Sequence, residues 1–255
     1  MPLTFAHPIV VLPLRRCGLP LSALIVGSIA PDLEFLLHLA PSQNIGHTAT
    51  GLFVFCLPMG LVTLCLFHRI WKKPILSLLA EDLGLSQYEG LAAFPFWPFR
   101  RLAVLSAAVL IGALSHLVWD SFTHQSGWAV QHVPTLGAVI FESHWGSVPF
   151  FKILQHGSTF LGLVVLAAMA LRKGMISHIS YTGRRHIVFV GCISAAMGLA
   201  FALMKSPHFS GLRATEWFVG MLVVHASVAA IAYITLVSLV WHAKEMQVLL
   251  SKADR

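Results

Sequence analysis

The sequence predicts an all-α fold: a multi-pass helical integral membrane protein with about five to six transmembrane helices, one of them a broken or partly inserted N-terminal segment. Three observations carry this expectation. Of 255 residues, 57% are hydrophobic and only 11% are charged, whereas soluble domains carry roughly 25% charged residues. Mean hydropathy is +0.79. The apolar residues gather in runs near the length of about 20 residues that crosses a bilayer as a helix. Those runs are spread along the whole chain, so residues 1–255 read as a single membrane-embedded domain.

The first apolar region, Leu19–Leu39, contains Pro31, Asp32, Glu34 and His38. A helix broken by such residues is tolerated where it lines a protein cavity. Four cleaner spans follow at Gly51–Phe67, Leu102–Trp119, Ile153–Leu171 and Ile187–Met204. A fifth, Trp217–Trp241, is long enough to cross with tilt. Lys72 to Arg101 reads as a connector with a short surface helix and an interfacial aromatic anchor, Phe94-Pro-Phe-Trp97-Pro-Phe-Arg-Arg101. Ser126 to Pro149 reads as a second connector, rich in His, Trp and Gly.

The net charge of +7 in a soluble protein would point to nucleic acid. Here the basic residues sit in short clusters beside apolar runs, which excludes that partner and sets topology instead. Arg69, Lys72, Lys73, Arg100 and Arg101 lie between the second and third apolar regions. Arg172, Lys173, Arg184 and Arg185 lie between the fourth and fifth. Lys244, Lys252 and Arg255 follow the last. These belong on the cytoplasmic side, against Lys152, Lys205 and Arg213 opposite. Arg15 and Arg16 fit neither group. The N-terminus has no positive region ahead of its first apolar residues and no evident cleavage site, so it is expected to be retained. Cys17, Cys56, Cys65 and Cys192 form no CxxC pair and read as small buried hydrophobes.

Chemistry concentrates in four short pieces: Phe5-Ala-His7-Pro8, Gly27-Ser-Ile-Ala-Pro31-Asp32-Leu-Glu34, Gly46-His47-Thr48 and His116-x3-Asp120-x3-His124. On a continuous helix the last three residues share one face. Two imidazoles and a carboxylate are ligands that suit a divalent metal such as zinc. Ionisable groups at membrane depth are costly and mark function. The stripe has a second reading, a buried hydrogen-bonded trio. Likewise His7 and His47 read as caps or surface residues, and Asp32 as a turn or helix cap. The charge-based topology puts Asp120 and His124, His47 and His156 at the outer ends of their helices, so sequence-distant groups converge on one membrane face. His156 is then a ligand or a substrate-contacting group, and His132 and His144 are accessory. His38, His68, His178, His186, His208, His225 and His242 read as interfacial or structural.

The ordered set of His-Pro near the start, Pro-Asp after an apolar run, His-Thr before a helix, and Ser-His-x3-Asp-x2-Thr-His resembles the membrane-bound predicted metal-dependent hydrolases of bacteria. Within that group the chain is most similar to a branch described only as a domain of unknown function. The stretches that carry the similarity are Met1-Pro-Leu-Thr-Phe-Ala-His7-Pro8, Leu19-Pro-Leu-Ser-Ala-Leu24, Ala30-Pro-Asp32 and Leu154-Gln-His-Gly-Ser158. The wider group is thought to share ancestry with zinc-dependent phospholipases C. The resemblance therefore implies metal-dependent hydrolysis of a phosphoester at the membrane surface. Two departures stand out. Glu34 replaces a second acidic or His residue, and the His-Arg-Gly-x-Thr-His step is reduced to Gly46-His47-Thr48. The implied ligand set is smaller, in keeping with one metal rather than two or three, or with a site that has lost catalysis.

Together these readings give a bacterial inner-membrane hydrolase with a divalent metal, zinc by its donor set, opening to the outer face. His7, Asp32, His47, His116 and Asp120 are expected ligands, with His124 and His156 as further ligands or supporting groups. Asp32 or Glu34 is the expected proton acceptor. The partners are the lipid bilayer and a lipid-linked or phosphoester substrate. The competing class is a non-enzymatic scaffold or transporter whose His/Asp cluster binds metal structurally or relays protons.

Overall fold

A computed structural model describes residues 4–79, 94–143, 146–172, 179–205 and 211–253. Of the connector expected over Lys72–Arg101, Lys72–Leu79 is helical and residues 80–93 lie outside the described residues, as do His144, Lys173, His178 and His208. The helices in chain order are α1 (Pro8–Val11), α2 (Leu21–Ile29), α3 (Leu33–His38), α4 (Ala49–Gly51), α5 (Leu57–Leu66), α6 (Lys72–Leu79), α7 (Phe99–Thr123), α8 (Trp128–His132), α9 (Pro134–Gly137), α10 (Phe150–Arg172), α11 (Tyr181–Met204) and α12 (Leu212–Ala253). Two short antiparallel strands, β1 (Val139–Ser143) and β2 (Gly146–Pro149), precede α10, with Ser143 opposite Gly146. Short helices and this hairpin occupy the stretch expected as a plain connector.

Six helical stretches among the described residues are long and apolar enough to cross a membrane: Leu21–His38, Ala49–Leu78, Phe99–His132, Phe150–Arg172, Tyr181–Met204 and Ala214–Ser251. The all-α multi-pass expectation holds. The broken N-terminal segment is one of the six, and its break is the 3-10 turn Ala30–Asp32 between α2 and α3, where Pro31 lacks the N–H that an α-helix needs. Four of the observed helical stretches run past their apolar runs at both ends, and Tyr181–Met204 does so at its start. Hydropathy marks only the lipid-facing middle of a helix, whose polar flanks continue the same backbone hydrogen bonds. Ala49–Leu78 is a succession of α4, a π-turn at Leu52–Cys56, α5, a second π-turn at Phe67–Trp71, and α6.

The tightest packing joins α2 to α7. A Cβ added to Gly27 would sit 2.2 Å from the Val109 carbonyl oxygen, and one on Gly112 would sit 2.4 Å from that of Leu24. Small residues let membrane helices approach backbone to backbone, where dispersion and polar contacts replace the missing hydrophobic drive. Leu24, Leu64, Leu105 and Val109 are fully buried around this contact.

The two ends of the bundle differ in chemistry. At one end His68 shares a hydrogen bond with the Ser22 hydroxyl (3.0 Å) and stacks on Phe94. Arg101 lies over Phe94 and Arg69 over Phe96. Leu14 and Leu19 pack into the same cluster as Phe94 and Phe96. The exposed Arg15 and Arg16 between them therefore fall at this basic end. The chain enters at His7, descends through α1 and a 3-10 turn (Leu12–Cys17), reverses at Gly18 (φ 75°) and returns as α2. This hairpin accounts for the two arginines that the linear order of apolar runs left unplaced. Of the four free cysteines, Cys56 alone is buried; Cys17, Cys65 and Cys192 are exposed. Residues 65 and 192 lie within spans, where an exposed side chain faces lipid rather than a protein core.

Candidate metal centre

The opposite end gathers His7, Asp32, His47, His116 and Asp120. They arrive by four local devices. His7 precedes Pro8, whose fixed φ suits the first turn of α1. Asp32 closes the 3-10 turn that breaks the first span. His47 ends another 3-10 turn, Ile45–His47, just before α4. His116 and Asp120 stand one turn apart on α7.

Glu34 fixes the His47 turn. Its buried carboxylate accepts the backbone N–H groups of Asn44 (3.0 Å), Ile45 (2.9 Å) and Gly46 (3.0 Å). Three amides satisfy a charge that would otherwise be costly in a span. They also occupy both of its oxygens, so the structure places Glu34 behind the turn.

The donor atoms converge. His47 Nε2 lies 3.2 Å from Asp32 Oδ1 and 3.7 Å from Asp120 Oδ2. His116 Nε2 lies 3.5 Å from Asp32 Oδ1 and 3.3 Å from Asp120 Oδ2. His7 Nε2 lies 3.7 Å from Asp120 Oδ1, and its ring stacks on that of His116 with centroids 3.8 Å apart. Two trios, His7–His116–Asp120 and Asp32–His47–His116, each bring donor atoms within 4.8 Å of one another, and these groups could hold a metal ion. For metal–ligand bonds of about 2.1 Å, neighbouring ligand atoms stand roughly 3.0–3.4 Å apart, close to the spacings seen.

Satisfaction of hydrogen bonds separates a metal cage from a bonded trio. His7 Nε2, Asp32 Oδ1, His47 Nε2, His116 Nε2 and Asp120 Oδ1 are all buried without a hydrogen-bond partner. Each unsatisfied buried polar atom costs about 1–3 kcal/mol. Five such atoms would consume much of a domain's usual stability of about 5–15 kcal/mol. A cation held by either trio would satisfy the donors of that trio, with His116 common to both.

The supporting contacts orient the donors. His116 Nδ1 donates to the Ser28 carbonyl at 2.8 Å, and because a carbonyl only accepts, the lone pair of His116 is on Nε2, facing the cage. This bond depends on the close α2–α7 approach at Gly27 and Gly112. Thr4 Oγ1 donates to Asp32 Oδ2, leaving Oδ1 inward. Gln43 Nε2 approaches Asp120 Oδ2 at 3.5 Å. Burial, and next the neighbouring His116, push the His7 imidazole down to about 4, so it is neutral near pH 7 with a lone pair to give.

His124 does not continue the helix. Helix α7 ends at Thr123, and His124 is its extended cap, with φ −119° and ψ 142°. Its Nδ1 nonetheless stays 3.4 Å from Asp120 Oδ1 and 3.3 Å from the Asp120 carbonyl oxygen, and its Nε2 is buried without a partner. It borders the cage and belongs to neither trio. His156 is not brought into the cage. It is exposed on α10 and lines a separate cavity that it shares with Asp32. His132 stacks on Trp128, away from the donors. Thr4, Ser28 and Gln43 had no role in the sequence reading. Thr4 was within reach of it, standing three residues before His7 in the opening stretch, but Ser28 and Gln43 act through backbone geometry and an unpatterned loop.

The sequence matches the family described as a domain of unknown function, DUF4184, over residues 1–241. The chain belongs to the DUF4184 family. No curated protein and no solved structure matches it. All five cage donors of this DUF4184 chain, together with Thr4, Ser28, Glu34, Gln43 and His124, fall inside the matched residues.

Proposed function

We propose that this DUF4184 chain is a membrane-embedded, metal-dependent hydrolase acting on a phosphoester at one face of the bilayer. The convergence of five orphaned donor atoms from four separate segments carries this reading. The likeness of its motifs to membrane-bound predicted hydrolases and, distantly, to zinc-dependent phospholipases C supports it. Three imidazole nitrogens and two carboxylate oxygens suit zinc and neighbouring first-row metals.

A divalent cation in this cage supplies Lewis-acid activation of water and of a phosphoryl oxygen. The residues of the chain do the rest. His7, His47 and His116 would present ring nitrogens to it, and Asp32 and Asp120 would offset the positive charge. Asp32 borders both the cage and the neighbouring cavity, so it is the carboxylate placed to take a proton from water as the P–O ester bond breaks. His124, buried beside Asp120, would support that carboxylate, and the proton would leave with the alcohol. Glu34 is a positioning residue that holds His47 through the turn. The basic residues gather at the end of the bundle opposite the cage, which supports an outward-facing site in a bacterial inner membrane.

A second reading, a structural metal or proton relay, draws on the number of protein donors. Catalytic zinc sites usually keep three protein ligands and an open position, whereas five donors in two overlapping trios gather here. Elemental analysis of purified wild type beside Asp120→Ala, paired with phosphate release from a phosphoester in vesicles, tests both. The hydrolase reading expects about one divalent ion per chain, lost in the variant together with phosphate release. Metal without phosphate release favours the structural reading. Wild type without metal sinks both metal readings.

A further inference from the structure

A cavity of about 280 Å³ lies against the cage, between the broken first span and α12. It extends along α12 from Glu216 to Ile231, about 22 Å at the rise of an α-helix. One leaflet of hydrocarbon is about 15 Å deep, so the groove passes from the bilayer surface through a leaflet. Its walls are apolar along the shaft, including Leu36, Val223 and Ile231. Polar groups gather where the groove meets the cage: Thr4, Asp32, His156 and Glu216. Glu216 is paired with Lys152. Asp32 is shared, its Oδ1 facing the cage donors and its Oδ2 held by Thr4 at the groove mouth.

We propose that this groove binds the hydrocarbon chain of the substrate, which is a single-chain lipid phosphate whose phosphoester reaches the cage past Asp32. This rests on the metal-dependent reading of the cage and names its substrate class. A narrow apolar shaft of leaflet length takes one chain, and each buried methylene favours it by the hydrophobic effect. The mouth offers hydroxyl and imidazole groups to phosphate oxygens, and a cation in the cage attracts the anion.

The test is photo-crosslinking of a diazirine-bearing long-chain alkyl phosphate in phosphatidylcholine vesicles containing the full chain, with crosslinked peptides mapped by mass spectrometry. Crosslinks are expected on α12 between Val219 and Ile231. They should fall about tenfold in Val223→Trp, which fills the shaft, with metal content unchanged. Leu36→Trp, from the opposite wall, should act alike if Val223→Trp fails to fold. Val164→Trp, on an exposed face of α10, should leave the yield at the wild-type level. Crosslinks spread evenly over α10 and α11, a yield indifferent to both tryptophans, or equal labelling by a diazirine alkane lacking phosphate would overturn the proposal. Metal-stripped protein separates the two ideas. Mapped crosslinks in a chain that never holds metal keep the groove and sink the hydrolase, whereas metal with diffuse crosslinks keeps the cage and sinks the groove.

Discussion

His116 and His225 are both buried histidines on long apolar helices, and they live differently. His225 donates within its own helix, its Nδ1 at 2.9 Å from the Met221 carbonyl oxygen, and its ring stacks on Phe201 of α11. His116 bonds across to another helix through Nδ1 and leaves Nε2 with no partner beside two carboxylates. Helices α11 and α12 pair chiefly with each other, and their histidine is absorbed into that packing. The α2–α7 half brings polar atoms to one point and leaves them unsatisfied. The same residue type is packing in one half and a donor in the other, and what separates them is whether the second nitrogen meets other orphans.

The largest expected effect breaks that contrast directly. His116→Ala should remove the bound metal, from about one ion per chain to under about a tenth, while His225→Ala keeps it. Elemental analysis of both variants checks this, and equal loss from both would erase the distinction. Next comes packing. Gly112→Leu places atoms where the Leu24 backbone already is, and should destabilise by about 3 kcal/mol or more. Gly191→Ala on α11 meets nothing within 4 Å and should be neutral or slightly stabilising. Reversible unfolding in mixed detergent micelles measures both.

Glu34→Ala should follow, leaving three turn amides without their acceptor and weakening metal affinity about 10- to 100-fold through displacement of His47. Glu34→Gln retains one oxygen and should recover part of it, as read by competition with a metal-binding dye. A comparable effect falls on bulk stability. Chelation should lower the wild-type unfolding free energy by an amount set by ion occupancy, about 2.7 kcal/mol at a hundredfold excess over Kd. Asp120→Ala should show no such shift, and a matching shift would mean the chelator acts elsewhere.

The membrane class was legible because lipid imposes a length and an apolarity on every span, and those survive in linear sequence. Helix ends were not, since residues such as Tyr181 and Lys244 extend helices with polar turns that hydropathy ignores. The donors His7, Asp32, His47, His116 and Asp120 could be picked out because buried His and Asp are rare in such a chain. Their supports were harder to see. Ser28 contributes a carbonyl, which every residue has, and Glu34 acts through backbone amides that leave no side-chain signature. His124 was expected at a third position along one helix face. The helix ends one residue earlier, and only the extended cap conformation brings the ring back toward Asp120. Arg15 and Arg16 were opaque because a helical hairpin, unlike a span, places both its ends without crossing the bilayer.

The spread of the donors along the chain has a consequence for biogenesis. Asp120 lies 113 residues beyond His7, within the third span. At about 5–20 residues per second, the first donor waits roughly ten seconds for the last. During that interval neither trio is complete until His116 emerges. On the metal-dependent reading, loading therefore waits for α7, and a nascent chain stalled before His116 would enter the membrane empty.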